Sequence, residues 1–264
     1  MSTRMRDLLA RAIEELRYEP IEKRVRARSG AETIVDSTQA LLVWEPRRVC
    51  PSYAVPVEHV RVPLVEGPEA NEDVSGVLHP GIPFTVHTAP GEPVRVAGGA
   101  GFRLAELPGY VALDFDAFDW LEEDDPVRGH PRDPYHRVDV HRASRPVRIE
   151  FGGAVLAEST GARMLFETQL PTRFYLPRDD VRVSLRPSER RTYCPYKGEA
   201  SYWSVGRFEG IAWSYEQPLP DMAPITGLVA FWDELVDVYV DGELRPRPSG
   251  PFAAALRDEF GLPV

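Results

Sequence analysis

A chain of 264 residues, 43% hydrophobic and 27% charged, has the composition of a soluble globular protein of one to two domains. A net charge of -10 excludes nonspecific nucleic-acid binding, which needs a basic surface to displace counterions, and leaves room for a local cationic pocket. No apolar run approaches the roughly 20 residues of a membrane span, and 26 prolines cut most of the chain into short elements.

Residues 1–22 read as an amphipathic N-terminal helix. Between Arg4 and Arg17, Met5, Leu8, Leu9, Ala12, Ile13 and Leu16 recur at three- and four-residue steps and form one apolar stripe. Such a stripe suits the protein's own core or a second subunit, which makes a homodimer one expectation. Its polar face mixes Glu with Arg, unlike the basic face of a membrane-surface helix. The segment also lacks the apolar core of a secretory signal. Cys50 and Cys194 are too few for a disulfide framework, so a cytoplasmic location is expected.

Sliding the chain against itself exposes a repeat at an offset of 122 residues. Val25, Arg26, Gly30, Ser37, Thr38, Ala40, Glu45 and Tyr53 meet Val147, Arg148, Gly152, Ser159, Thr160, Ala162, Glu167 and Tyr175. With one residue dropped, "PVEHVRVPL" from Pro56 continues onto "PRDDVRVSL" from Pro177. A tandem duplication is expected: a divergent first copy at 23–143 with a Pro/His-rich connection, a second at 144–248, and a C-terminal tail at 249–264. Each copy reads as mainly β. "VRIEFGGAVLAES" is a hairpin around Gly-Gly, "DDVRVSL" alternates as a half-buried strand, and "EASYWSV" sets Glu199, Ser201 and Trp203 on one face against Ala200, Tyr202 and Ser204. "GLVAFWDELVDVYVDGE" gives two further β-runs around Asp233–Glu234.

"VLAESTGARMLFETQLPTRFYLPRDDVRVSL", "RTYCPYKGEASYWSV" and "AWSYEQPLPDMAPITGLVAFWDELVDVYVDG" together resemble the domain-of-unknown-function 427 family. "VDSTQALLVWEPRRVCPSYAVP" and "WLEEDDPVRGHPRDPYHRVDV" resemble the divergent N-terminal copy of its two-domain members. The resemblance implies two β-tent-like domains of small, angled antiparallel sheets, and no settled activity. Some labels for that family mention nucleotidyl transfer, which needs clustered carboxylates for two metal ions. Only Asp114 and Asp116 are closely spaced in a plausible strand, and no phosphate-cradling glycine motif exists, "GGAGF" from Gly98 reading as a turn-like loop.

Isolated cysteines rule out a four-cysteine zinc site, and His130, His136 and His141 fit no ligand spacing, so they read as a clasp bonding carboxylates. No metal or cofactor is expected. Cys194 has Arg190, Arg191 and Lys197 nearby to favour its thiolate, yet no histidine lies in the second copy. Lys197, aimed by Gly198, is the stronger candidate. A small anionic or aromatic ligand is expected on a wall of Lys197, Glu199, Trp203 and Trp213, with Tyr202 and Tyr175 beside it and Glu158 and Arg163 on the rim. The competing expectations are an aromatic core with a surface Lys197–Glu199 pair, an enzyme using Lys197 or Cys194, and an interaction module without a small ligand.

Overall fold

The computed structural model describes residues 2–67, 75–79, 82–85, 91–250 and 252–254. The chain divides into two compact units, the first running to Asp133 and the second starting at Pro134. Most of the expected tail, 249–264, lies outside the described residues.

Helix α1 spans Met5–Arg11, followed by a 3-10 turn at Ala12–Glu14. It is shorter than the expected 1–22 helix, because Arg17–Pro20 (β1) is extended and pairs with Leu41–Trp44. Only Ile13 of the apolar stripe is buried; Met5, Leu8 and Leu9 are 64%, 47% and 39% exposed.

The first unit continues through β2 (Val25–Ser29), β3 (Glu32–Ser37), β4 (Leu41–Trp44), β5 (Ser52–Pro56) and β6 (Val65–Glu66). Then come β7 (Ser75–His79), β8 (Ile82–Thr85), β9 (Pro93–Val96), β10 (Gly99–Arg103), β11 (Tyr110–Leu113), β12 (Asp119–Glu122) and β13 (Asp125–Pro126). Among the described residues the sheet orders are β1-β4-β5-β11-β10-β9-β6, β13-β12-β2-β3 and β7-β8. "GGAGF" is thus a turn at Gly98 running into a strand, where a Cβ on Gly101 would stand 2.3 Å from the Ala112 carbonyl.

The second unit holds β14 (Val138–Arg142), β15 (Val147–Phe151), β16 (Ala154–Ser159), β17 (Arg163–Glu167), β18 (Arg173–Tyr175) and β19 (Arg186–Cys194). It ends with β20 (Gly198–Val205), β21 (Phe208–Ser214), β22 (Val229–Phe231), β23 (Asp237–Val240) and β24 (Glu243–Leu244). Its sheets run β14-β17-β18, β16-β15-β23-β24 and β19-β20-β21-β22. The unit begins ahead of the expected residue 144, since β14 is an edge strand of its first sheet. The β15–β16 hairpin turns through Gly152 and Gly153, both at positive φ (56° and 81°), as a tight hairpin requires. "DDVRVSL" forms no ladder: Arg178–Asp180 is a 3-10 turn and Val181 makes a single bridge to Ala157, although Val181, Val183 and Leu185 do pack on the core.

Pairing in the two units follows the same registers. The β2–β3 and β15–β16 ladders slip after Ala27 and after Ile149, 122 residues apart. Arg17 faces Trp44 as Asp139 faces Phe166. Leu42, however, faces Tyr53, whereas Met164 faces Phe174. The one-residue difference therefore falls before β5 and β18, so Tyr175 occupies the place of Ala54, not that of Tyr53.

The second unit has a central apolar cluster that includes Val147, Ile149, Phe174 and Phe231. Another cluster gathers Leu165, Tyr175, Tyr202, Trp213 and Tyr215. The second of these carries the polar groups described next.

Candidate functional site

Cys194, Pro195, Tyr196 and Lys197 form a β-turn closed by the Lys197 N–H donating to the Cys194 carbonyl at 3.2 Å, with Pro195 at the position its fixed φ favours. Gly198 follows at φ 99°, where a side chain would be strained, and re-enters β20. The Lys197 carbonyl accepts from Leu219 N–H at 3.0 Å. The turn is thereby fixed on both sides, and its lysine side chain points inward.

Lys197 is only 8% exposed. Its Nζ donates to both carboxylate oxygens of Glu167, at 2.6 and 2.7 Å. Glu167 is the last residue of β17, and its Oε1 also lies 3.0 Å from His136 Nε2. An ionised carboxylate only accepts, so His136 presents Nε2–H to it. The His136 ring stacks on Tyr196 of the turn, with centroids 4.5 Å apart. Burial disfavours the Glu167 charge, but Lys197 and His136 outweigh it and push its pKa down to about 2. Burial likewise opposes the Lys197 charge, while Cys194, Glu167 and Tyr175 favour it more strongly, so the lysine is raised above its ordinary value.

Aromatic groups surround this pair. The Tyr175 hydroxyl accepts from Trp213 Nε1–H at 3.0 Å, and burial raises Tyr175 above the ordinary phenol range. Tyr202 lies opposite Trp213 across β20–β21, and its hydroxyl is 3.0 Å from Thr192 Oγ1. Beyond Trp213, Arg173 makes a bidentate pair with Glu234 at 2.8 and 2.7 Å and sits over the neighbouring Trp213 and Trp232 rings, 5.6 and 5.3 Å from their centroids. Asp233, 3.6 Å from Arg173, is pushed up to about 6 by burial, with Glu234 adding to the rise against the pull of Arg173.

The structure brings together Lys197, Tyr175, Trp213 and Tyr202, with Cys194 at the start of the turn. It separates the others. Glu199 is exposed, so no surface Lys197–Glu199 pair exists; the lysine is buried against a carboxylate 30 residues away. Trp203 faces the opposite side of β20 from Tyr202, packs on the central cluster, donates to Ser214 Oγ at 2.8 Å and sits under Arg178. Glu158 is on β16, exposed and paired with Arg182. Arg163 shares the Glu167 face of β17 by strand alternation and lies opposite Tyr175.

Sequence reasoning missed Glu167, Arg173, Asp233 and Glu234 as members of the site, and it placed His136 only in a clasp. The signal for Glu167 was present: it ends the apolar run "RMLFE" and coincides with Glu45 at the repeat offset. Lys197 and Lys23 are the only lysines in a chain otherwise cationic through arginine, and Lys23 is half-exposed. Among the described residues no three His, Cys, Asp or Glu side chains converge to hold a metal. Asp114 accepts from the Asp116 N–H at 3.1 Å and, after burial, raises the Asp116 carboxyl to about 6. No helix among them is long and apolar enough to cross a membrane.

Residues 139–242 match the family described as "Domain of unknown function (DUF427)". That span contains Glu167, Arg173, Tyr175, Lys197, Trp213 and Asp233, and it stops three residues short of His136. No curated protein matches the chain.

Proposed function

We propose that the protein binds a small anionic or aromatic molecule beside Lys197, in the second unit. The carrying observation is the Lys197–Glu167 pair, buried and shared with His136. A buried ion pair is often no more stabilising than apolar residues of the same volume, so its presence among aromatic side chains calls for a role beyond folding. The first unit supports this: its segment from His79 to Gly98 contains no lysine, and its matching strands pair in the same registers. Small-molecule sites set a few such charged groups among aromatic walls to fix the orientation of the ligand. The test is a thermal-shift screen of anionic and aromatic small molecules against wild type and a Lys197→Met/Glu167→Gln variant, which removes both charges at once. Stabilisation of wild type but not of the variant supports the site; equal stabilisation of both overturns it.

An enzyme using Lys197 as a neutral amine is the weaker reading, because the protein raises the lysine pKa where a Schiff-base former or general base needs it lowered. An enzyme using Cys194 as nucleophile remains distinct, and labelling with a thiol reagent at neutral pH tests it: an unreactive Cys194 counts against it.

We further infer that the two units are diverged copies of one β-tent-like domain, supported by the shared slips and registers, and that the chain works in the cytoplasm without a bound cofactor. A homodimer through α1 is a separate reading, favoured by the exposure of Met5, Leu8 and Leu9. An unchanged size in solution after deletion of residues 2–11 would remove it.

A further inference from the structure

Strand β14 sets Arg142 directly opposite Arg163 on β17, and β18 sets Tyr175 opposite Arg163 on its other side. Directly paired residues project from the same face with Cβ atoms about 5 Å apart. Two guanidinium groups are therefore neighbours on the face that also carries Glu167. Among the described residues neither has a carboxylate within ion-pairing distance, and Arg163 donates to the Gly161 carbonyl at 3.4 Å. Some other arginines of the unit, such as Arg145, Arg148, Arg182 and Arg186, each meet an acid.

Like charges placed opposite each other destabilise a sheet. The fold does not require them. In the first unit the same register places Pro20 opposite Leu41, with Ala54 where Tyr175 stands. There Leu41, Val43 and Ala54 simply form a small apolar cluster. The second unit has replaced an apolar pair by two unneutralised arginines and a tyrosine on the same face as the lysine site.

We propose that Arg142 and Arg163 together bind the oxyanion of the ligand, a carboxylate or phosphate on a small organic molecule. Paired guanidinium forks match such planar or tetrahedral oxyanions through charge-assisted hydrogen bonds. This rests on the proposed Lys197 site and names its ligand class.

Titration of the intact protein at constant ionic strength with phenyl phosphate and with benzoate tests it, read by calorimetry and melting temperature. The expected result is that at least one of them binds wild type, the tighter one identifying the head group. Arg142→Leu and Arg163→Leu should each weaken that binding about tenfold or more, the loss of one charged hydrogen-bonding partner, with an unchanged circular dichroism spectrum. Arg142→Gln and Arg163→Gln replace any leucine variant that fails to fold. Failure of both anions to bind wild type, or leucine variants that bind as tightly as wild type, would overturn the arginine site. Binding lost in Lys197→Met/Glu167→Gln but retained in both arginine variants would overturn it while leaving the Lys197 site intact.

Discussion

Lys197, at the tip of the β19–β20 turn, holds both oxygens of Glu167, at the end of β17, and ties two sheets of the second unit through one buried ion pair. Removing one partner alone strands a charge. Glu167→Gln is expected to cost about 3–5 kcal/mol of unfolding free energy. Lys197→Met/Glu167→Gln should cost clearly less than Glu167→Gln, because no unpaired charge remains. Urea unfolding of the three proteins measures both values, and a double variant less stable than Glu167→Gln would contradict the account.

Acid should weaken the protein through the same carboxylate. Glu167 has its folded-state pKa below the ordinary 4.5, at about 2, so its contribution is fully present above pH 4.5 and is lost as pH falls toward 2. The stability of wild type should therefore drop more steeply across that window than that of Lys197→Met/Glu167→Gln. Parallel curves would exclude the pair as the cause.

Asp233 acts with the opposite sign. Its pKa is raised from 3.8 to about 6, so its contribution is fully present below pH 3.8 and declines as pH rises through 6. Asp233→Asn should remove that decline, giving a flatter melting-temperature profile between pH 4 and pH 6 than wild type.

Tyr175→Phe leaves the buried Trp213 Nε1–H without its acceptor. An unsatisfied buried donor costs about 1–3 kcal/mol. Chemical unfolding followed by tryptophan fluorescence should show a loss in that range, with the secondary structure retained.

The regular parts of the second unit were legible in its sequence because they are local. Alternation in "EASYWSV" predicts the two faces of β20, and Gly152–Gly153 predicts the β15–β16 hairpin. The N-terminal helix was overread: periodicity marks an apolar stripe, but the chain becomes extended at Arg17 by pairing with β4, a contact no local pattern announces. The site was half legible. "CPYKG" marks a turn that aims a lysine, whereas the partner of that lysine is fixed by the meeting of β17 and the β19–β20 turn, 30 residues apart. Trp203 and Trp213 looked like one wall, yet the register that puts Trp213 opposite Tyr202 sends Trp203 to the other face. The glutamates Glu45 and Glu167 match at the repeat offset, and only their surroundings separate them: Glu45 lies 3.6 Å from Arg48, Glu167 under Lys197 and His136.

The most direct test of ligand binding beside Lys197 is the ligand-induced rise in melting temperature, compared between wild type and Lys197→Met/Glu167→Gln across one panel of anionic and aromatic small molecules. The account predicts at least one compound that raises the melting temperature of wild type and leaves that of the variant unmoved. A panel whose every stabilising compound acts equally on both proteins would contradict it.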